Sequence, residues 1–228
     1  MRLGFHVSVA GGFENLVRGA VRRRCTALQM FTSAPVQWAR RKVGVREGSR
    51  LAQHLAELDI TPHFVHASYL LNLSSPDRAL RRRSISDLAQ EVEAARRLGA
   101  AGVIVHLGSV GAGGQIEEGI ARVAEAADIV CERVPEGPPV ILENSAGQGN
   151  MVGSRLEHIA RIIEGANCSE RLRVCIDTAH AFGAGCAVHT ASGLRRTIEE
   201  MDATFGLERM ALLHVNDSLL PFASGRDR

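Results

Sequence analysis

The segment PVILENSAGQGNMVGSRLEHIARIIEGANCSERLRVCID (139–177) contains one complete unit of the chain's architecture. A short apolar run, 139–143, ends in Glu143. A stretch with helical spacing of its apolar residues, 154–164, follows. A second apolar run, 173–177, ends in Asp177. Runs of this length bounded by turn residues read as strands, and the stretch between them as an amphipathic helix. Two strands joined through a helix pair in parallel, because the crossover returns the chain to the same end of the sheet. Their near-continuous apolar content predicts burial on both faces.

The same unit recurs on either side. Further apolar runs lie at 3–7, 27–31, 62–66, 102–107 and 211–216, with helical stretches at 12–24, 46–58, 76–98, 115–133 and 191–204. Leu16, Val17, Ala20 and Val21 share one helical face. So do Leu51, Leu55 and Leu58, then Ile85, Leu88, Val92 and Ala95, then Ile116, Ile120, Val123 and Val130. Pro76 is expected in the first turn of its helix, and Gly99 and Gly165 at helix C-caps. Seven strands and six helices in strict alternation, with no linker, predict a single domain over 1–228. Its fold class is α/β, a TIM (β/α)8 barrel with the eighth strand missing. An open doubly wound sheet is the alternative, but no dinucleotide-type glycine turn follows the first strand. An open barrel leaves unpaired edges on strands one and seven.

With 45% hydrophobic and 23% charged residues, the 228-residue chain is no disordered protein. No apolar run reaches the roughly 18 to 20 residues that span a bilayer, and no secretory signal opens the chain. Five cysteines without a CxxC pair predict reduced thiols and a cytoplasmic protein with no membrane partner. A net charge of +2 permits a nucleic-acid partner without requiring one. Only Lys42 is a lysine, so arginine supplies the other cations. Aromatic residues at 4% exclude a base-stacking platform. The basic stretches 40–42 and 81–83 read as solvated faces, and Phe31 and Trp38 as packing residues.

The chemistry gathers at the C-terminal ends of the strands. Strand one ends in His6, strand three in His66, strand four in His106 and strand five in Glu143. Strand six ends in Asp177 with His180 close behind, and strand seven in His214, followed by Asn216 and Asp217. In a barrel these points surround one mouth, where the active sites of this fold assemble. His54, His158 and His189 fall in helices or connections, and His63 lies inside its strand. Imidazoles and carboxylates together suit a transition metal such as zinc better than magnesium. Glu143, in the middle of the strand order, can bridge two ions through its two oxygens. Clustered metals are a tool of phosphodiester hydrolysis.

Seven stretches carry a family resemblance: HVSVAGG (6–12), MFTSAPVQW (30–38), HASYLLNL (66–73), VHLGS (105–109), LENSAGQGN (142–150), CIDTAHAFGAG (175–185) and HVNDS (214–218). In this order and spacing the chain resembles the endonuclease IV family of zinc-dependent apurinic/apyrimidinic endonucleases. The resemblance implies three zinc ions per chain. His66 and His106 hold the first, Glu143 bridges to the second, Asp177 and His214 complete more of the second, and His180 and Asp227 hold the third. It implies hydrolysis 5′ of abasic sites in duplex DNA, leaving a 3′-hydroxyl and a 5′-deoxyribose phosphate, with Glu143 as the catalytic residue. It also implies DNA contacts at Tyr69, Leu70 and Gln37, and a monomer. Three departures stand out. Val36 replaces an arginine that inserts into DNA, and Ala67 replaces an acidic residue. The chain ends at Arg228, before a third-zinc histidine and an eighth-strand glutamate. An incomplete copy with impaired activity is therefore expected. A sugar isomerase or epimerase on a related metal-dependent barrel, and a lesion-binding remnant without catalysis, are the competing readings.

Overall fold

The computed structural model describes residues 1–39 and 41–227. Seven strands and seven α-helices follow in the order β1 (Gly4–His6), α1 (Phe13–Arg22), β2 (Ala27–Met30), α2 (Val45–Glu57), β3 (His63–His66), α3 (Arg78–Leu98), β4 (Val103–His106), α4 (Ile116–Arg133), β5 (Val140–Glu143), α5 (Leu156–Gly165), β6 (Leu172–Asp177), α6 (Thr178–Gly183), α7 (Ala191–Phe205) and β7 (Met210–His214). All strand pairs are parallel, and the sheet order is the chain order, β1 to β7. The sheet curls, because His214 on β7 reaches Gln29 on β2 at 2.7 Å. The result is a TIM barrel without an eighth strand among the described residues. No ladder joins β1 to β7 there. Phe5 and Leu213, on these two strands, are more than half exposed.

Strand parity separates two cores. Val65, Val103, Val105, Val140, Leu142, Val174 and Ile176 point outward and join the helices in one large apolar cluster. Phe64, Ile104, Ile141 and Cys175 point inward and form a small cluster, with Ala211 and Leu212 packed against it. Two residues beyond five of these inward residues come His66, His106, Glu143, Asp177 and His214. Period-two alternation therefore places all five on the inner face, one layer above an apolar plug.

Several local expectations change. Pro76 lies outside its helix, because Asp77 is the N-cap of α3 and its carboxylate accepts from the amides of Ala79 (2.8 Å) and Leu80 (3.3 Å). Gly99 ends α3 in the left-handed region, as expected (φ 66°). Gly165, by contrast, is the last helical residue of α5, whose cap is Ala166 in an extended conformation. Val21 and Leu58 are exposed; Leu58 caps α2 rather than continuing its apolar stripe. Helix α6 is a seventh helix, not predicted. Trp38 packs against the core beneath the guanidinium of Arg83, 4.1 Å from the ring centroid. Arg81 pairs with Glu125 at 2.9 Å. Arg40, in the basic stretch 40–42, lies outside the described residues.

His63 has a structural part. It is buried, and a ring nitrogen bonds the carbonyl of Leu98 at 3.0 Å, tying β3 to the end of α3. Burial pushes its imidazole below 6.5, and the carbonyl only partly opposes this. The folded chain therefore holds His63 neutral. Its contribution is present above the unfolded value and is lost as the pH falls, because the unfolded chain takes up the proton more readily. In the metal-free chain, His63→Leu is expected to shrink the loss of melting temperature between about pH 7 and pH 5. Parallel pH-dependent melts check this, and an unchanged pH slope contradicts it.

Candidate metal centre

Glu143 stands at the centre of the mouth with 2% of its surface exposed. Its two oxygens divide the surrounding imidazoles. Oε2 lies 3.1 Å from His66 Nε2 and 3.0 Å from His106 Nε2. Oε1 lies 2.9 Å from His214 Nδ1 and 3.6 Å from His180 Nδ1. Burial alone would raise this carboxyl, but hydrogen bonds from His106, His214 and His66 hold it well below the usual carboxylate range. Burial works to lower His106, yet the Glu143 hydrogen bond and charge raise it above 6.5.

The sequence builds the rest from two local devices. Asp177 ends β6 and caps α6 at once. Its Oδ1 accepts from the amides of Ala179 (2.8 Å) and His180 (3.0 Å), which leaves Oδ2 for Asn216 Nδ2 at 2.5 Å. His180 thereby enters the first turn of α6 beside Asp177, which explains the DTAH spacing. Asn144 continues the sheet beyond Glu143 through its side chain. Its amide oxygen accepts from Asp177 N (2.6 Å), and its Nδ2 donates to Asp177 O (3.2 Å). These bonds fix Glu143 and Asp177 relative to each other.

Three of the histidines spend one ring nitrogen on a carbonyl oxygen. His66 Nδ1 bonds Ala67 O at 2.7 Å, His180 Nδ1 bonds Asn144 O at 2.9 Å, and His214 Nε2 bonds Gln29 Oε1 at 2.7 Å. A carbonyl only accepts, so each of these nitrogens carries the hydrogen. The other nitrogen then faces a carboxylate: Glu143 for His66 and His214, and Asp227 for His180 at 3.2 Å. A lone pair facing a carboxylate oxygen repels it unless a proton or a metal cation lies between them. Metal-binding histidines characteristically hold their second nitrogen in this way. Ala67 supplies its main-chain carbonyl where an acidic side chain was expected to matter.

The donor geometry fits metal ions. His66, His106 and Glu143 each offer one ligand atom, all within 4.8 Å of one another; so do Glu143, Asp177 and His180, and so do Glu143, Cys175 and His214. Every ligand residue predicted from the sequence, Asp227 excepted, falls within these groups. The exposed Asp227 lies outside them, with its Oδ2 3.2 Å from His180 Nε2. It is carried by a strap, 218–227, laid over α6. Ala223 N donates to Phe182 O (3.1 Å), Gly225 N to Gly183 O (2.9 Å) and Asp227 N to Gln148 Oε1 (3.3 Å). A Cβ at position 183 would lie 2.8 Å from Arg226 O, so a glycine permits this close approach. Phe222 packs between Phe182 and His189, with ring centroids 5.3 Å from each.

Three residues of the site were not singled out beforehand. Gln29 and Asn144 bond to ligand candidates, and the Cys175 thiol lies beneath them. Burial, then the charges of Glu143 and Asp177, push that thiol well above its usual range. The signal for Gln29 was legible: it is a lone amide within the apolar strand ALQM (27–30).

The rim holds the predicted DNA contacts. Tyr69 is 53% exposed, with its ring 5.5 Å from those of His66 and His106 and 5.3 Å from Phe31. Phe31 therefore packs at the rim of the mouth. Tyr69 N and Ser68 Oγ both donate to Pro35 O, at 3.1 and 2.6 Å, joining the loop after β2 to the loop after β3. Gln37 and Val36 are exposed on that first loop, and Leu70 is half-buried on the second. No described helix is long and apolar enough to cross a membrane.

Comparison with known proteins places these residues in context. The sequence profile of a family described as xylose isomerase-like TIM barrel matches residues 23–228. A protein named "Probable endonuclease 4" from Nitratidesulfovibrio vulgaris (strain DP4) is 39% identical over 99% of this chain and 79% of its own length. The crystal structure of endonuclease IV from Thermus thermophilus superposes with a TM-score of 0.85 at 34% identity, covering 100% of this chain and 81% of that one. A D-tagatose 3-epimerase-like protein matches with a TM-score of 0.70 at 18% identity, over 95% of this chain and 77% of that one. That last likeness is one of fold alone.

Proposed function

Because the chain belongs to the endonuclease IV family of the xylose isomerase-like TIM barrels, we propose that it is a zinc-dependent nuclease that hydrolyses duplex DNA on the 5′ side of abasic sites. The observation that carries this reading is the division of the Glu143 oxygens between two sets of histidines. One carboxylate so placed can serve two ions. In this reading His66, His106 and Glu143 would hold the first zinc, Glu143, Asp177 and His214 the second, and His180 with Asp227 the third. Bound zinc supplies Lewis-acid charge stabilisation and a nucleophile at neutral pH.

The chain's own residues then do four things. Glu143 stays ionised at the centre, and as the catalytic carboxylate it would offer an oxygen to each of two ions. The carbonyls of Ala67 and Asn144 hold the protons of His66 and His180 away from the reacting phosphate. The apolar plug of Phe64, Ile104, Ile141 and Cys175 closes the floor and excludes water from below. Tyr69, Leu70 and Gln37 meet the duplex at the rim, where an abasic nucleotide leaves the stack at low cost. Val36 is exposed where the family resemblance implies an inserting arginine, so that grip would be weaker. The products are a 3′-hydroxyl and a 5′-deoxyribose phosphate.

The test is incision of an end-labelled duplex with one abasic-site analogue, by the zinc-loaded chain and again after exhaustive chelation. The expected result is one metal-dependent cut 5′ of the lesion, and none in the intact duplex. Bound zinc without incision, together with metal-dependent epimerisation of a keto-sugar, overturns the reading in favour of the sugar enzymes that share this fold.

A further inference from the structure

We propose that Gln29 is a positioning residue that fixes the proton of His214 on Nε2 and so aims the Nδ1 lone pair at the Glu143 side of the mouth. The inference deepens the metal reading above, since it rests on His214 being a ligand, but its first readout does not need the metal.

As the Gln29 amide is placed, it assigns the hydrogens of both neighbouring imidazoles. Gln29 on β2 lies in register with His6 on β1, and both side chains turn into the barrel. The Gln29 amide sits between two imidazoles, with its Oε1 2.7 Å from His214 Nε2 and its Nε2 3.0 Å from His6 Nδ1. An amide oxygen only accepts and an amide nitrogen only donates. His214 Nε2 therefore carries a hydrogen, and His6 Nδ1 is bare. The amide could be flipped in principle, and the flipped arrangement has a distinct consequence. The NH2 group would then face His214 Nε2, which would have to give up its hydrogen. The proton would move to Nδ1 and point at Glu143 Oε1, 2.9 Å away, where it would occupy the direction a cation needs. Orientation of one amide thus selects between a ligating and a non-ligating His214.

The placement explains why the side chain is glutamine. His66 and His180 are fixed by main-chain carbonyls of their own neighbourhood. His214 ends β7, whose outer edge has no ladder partner among the described residues, so its acceptor comes from across the mouth. Only a side chain with an oxygen at that reach, itself braced from the far side, supplies one.

The experiment uses the full chain labelled with 15N-histidine. Long-range 1H–15N spectra of the metal-free protein near pH 8 read the tautomer of each ring, and zinc titration calorimetry follows. In the parent, His214 is expected as the Nε2–H form. In Gln29→Leu it is expected to shift towards Nδ1–H, with zinc affinity about 10- to 100-fold lower, while His66 and His180 keep their tautomers. Gln29→Glu retains an oxygen acceptor and is expected to keep the Nε2–H form. A parent His214 in the Nδ1–H form overturns the proposal. So does a Gln29→Leu spectrum with His214 unchanged, even if zinc affinity falls, because that fall would reflect packing alone. If the parent binds no zinc, the metal reading fails, and the spectra still decide the proton's address.

Discussion

Glu143→Gln is expected to reduce incision of an abasic duplex by about 10³-fold or more, the scale at which removal of a central electrostatic group acts. Each carboxylate oxygen faces imidazole nitrogens, Oε2 on the His66 and His106 side and Oε1 on the His214 side. An amide of the same shape must turn an NH2 group towards one side or the other. Whichever side receives it gains a donor where a lone pair or a cation belongs. The substitution also deletes the negative charge that all the surrounding imidazoles face. Single-turnover incision by the folded variant checks this. Activity within tenfold of the parent would falsify a central role for Glu143.

The second large effect is thermal. Zinc at about a thousandfold its dissociation constant is expected to stabilise the chain by about 4 kcal/mol. For a chain of this size that corresponds to a rise in melting temperature of about 8 to 16 °C. The reason lies in where the donors sit. His66, His106, Glu143, Asp177 and His214 end β3, β4, β5, β6 and β7 in turn, so ions bound among them would tie five neighbouring strands together at their C-terminal ends. Calorimetric melts before and after chelation, with bound zinc counted, measure the shift. Identical melting temperatures for the loaded and stripped protein would mean that these residues form no metal site.

Much of this arrangement was legible in the sequence, because two simple regularities determine it. Apolar runs buried on both faces give the strands, and polar residues two positions beyond an inward apolar residue give the mouth. His66 after Phe64 and Glu143 after Ile141 are readable in that way. What was missed has physical causes. Helix α6 has six residues, too few to show a period, and its start is set by Asp177, which already reads as a ligand. Pro76 invited an N1 assignment, but Asp77 beside it satisfies two amides and is the stronger signal. Gly165 suggested a cap, whereas the chain leaves α5 through an extended Ala166 with no left-handed residue. Gln29 was legible as a lone amide within β2 but not its partner, because a polar residue in mid-strand reveals what it bonds only when the sheet has curled.

That curl leaves one line along the barrel where first and last strands are joined by side chains alone. Along it, the connection from β1 to β7 runs through His6, the Gln29 amide and His214. Backbone ladders elsewhere tie neighbouring strands at several points; here three polar groups in series form a latch. A latch of this kind opens without unfolding either wall, so the amides of β1 and β7 should exchange with solvent at a lower opening free energy than those of β4 and β5. Whatever occupies the mouth closes the latch from inside. Deuterium uptake at Gly4–His6 and Met210–His214 then becomes a gauge of site occupancy, legible without any substrate.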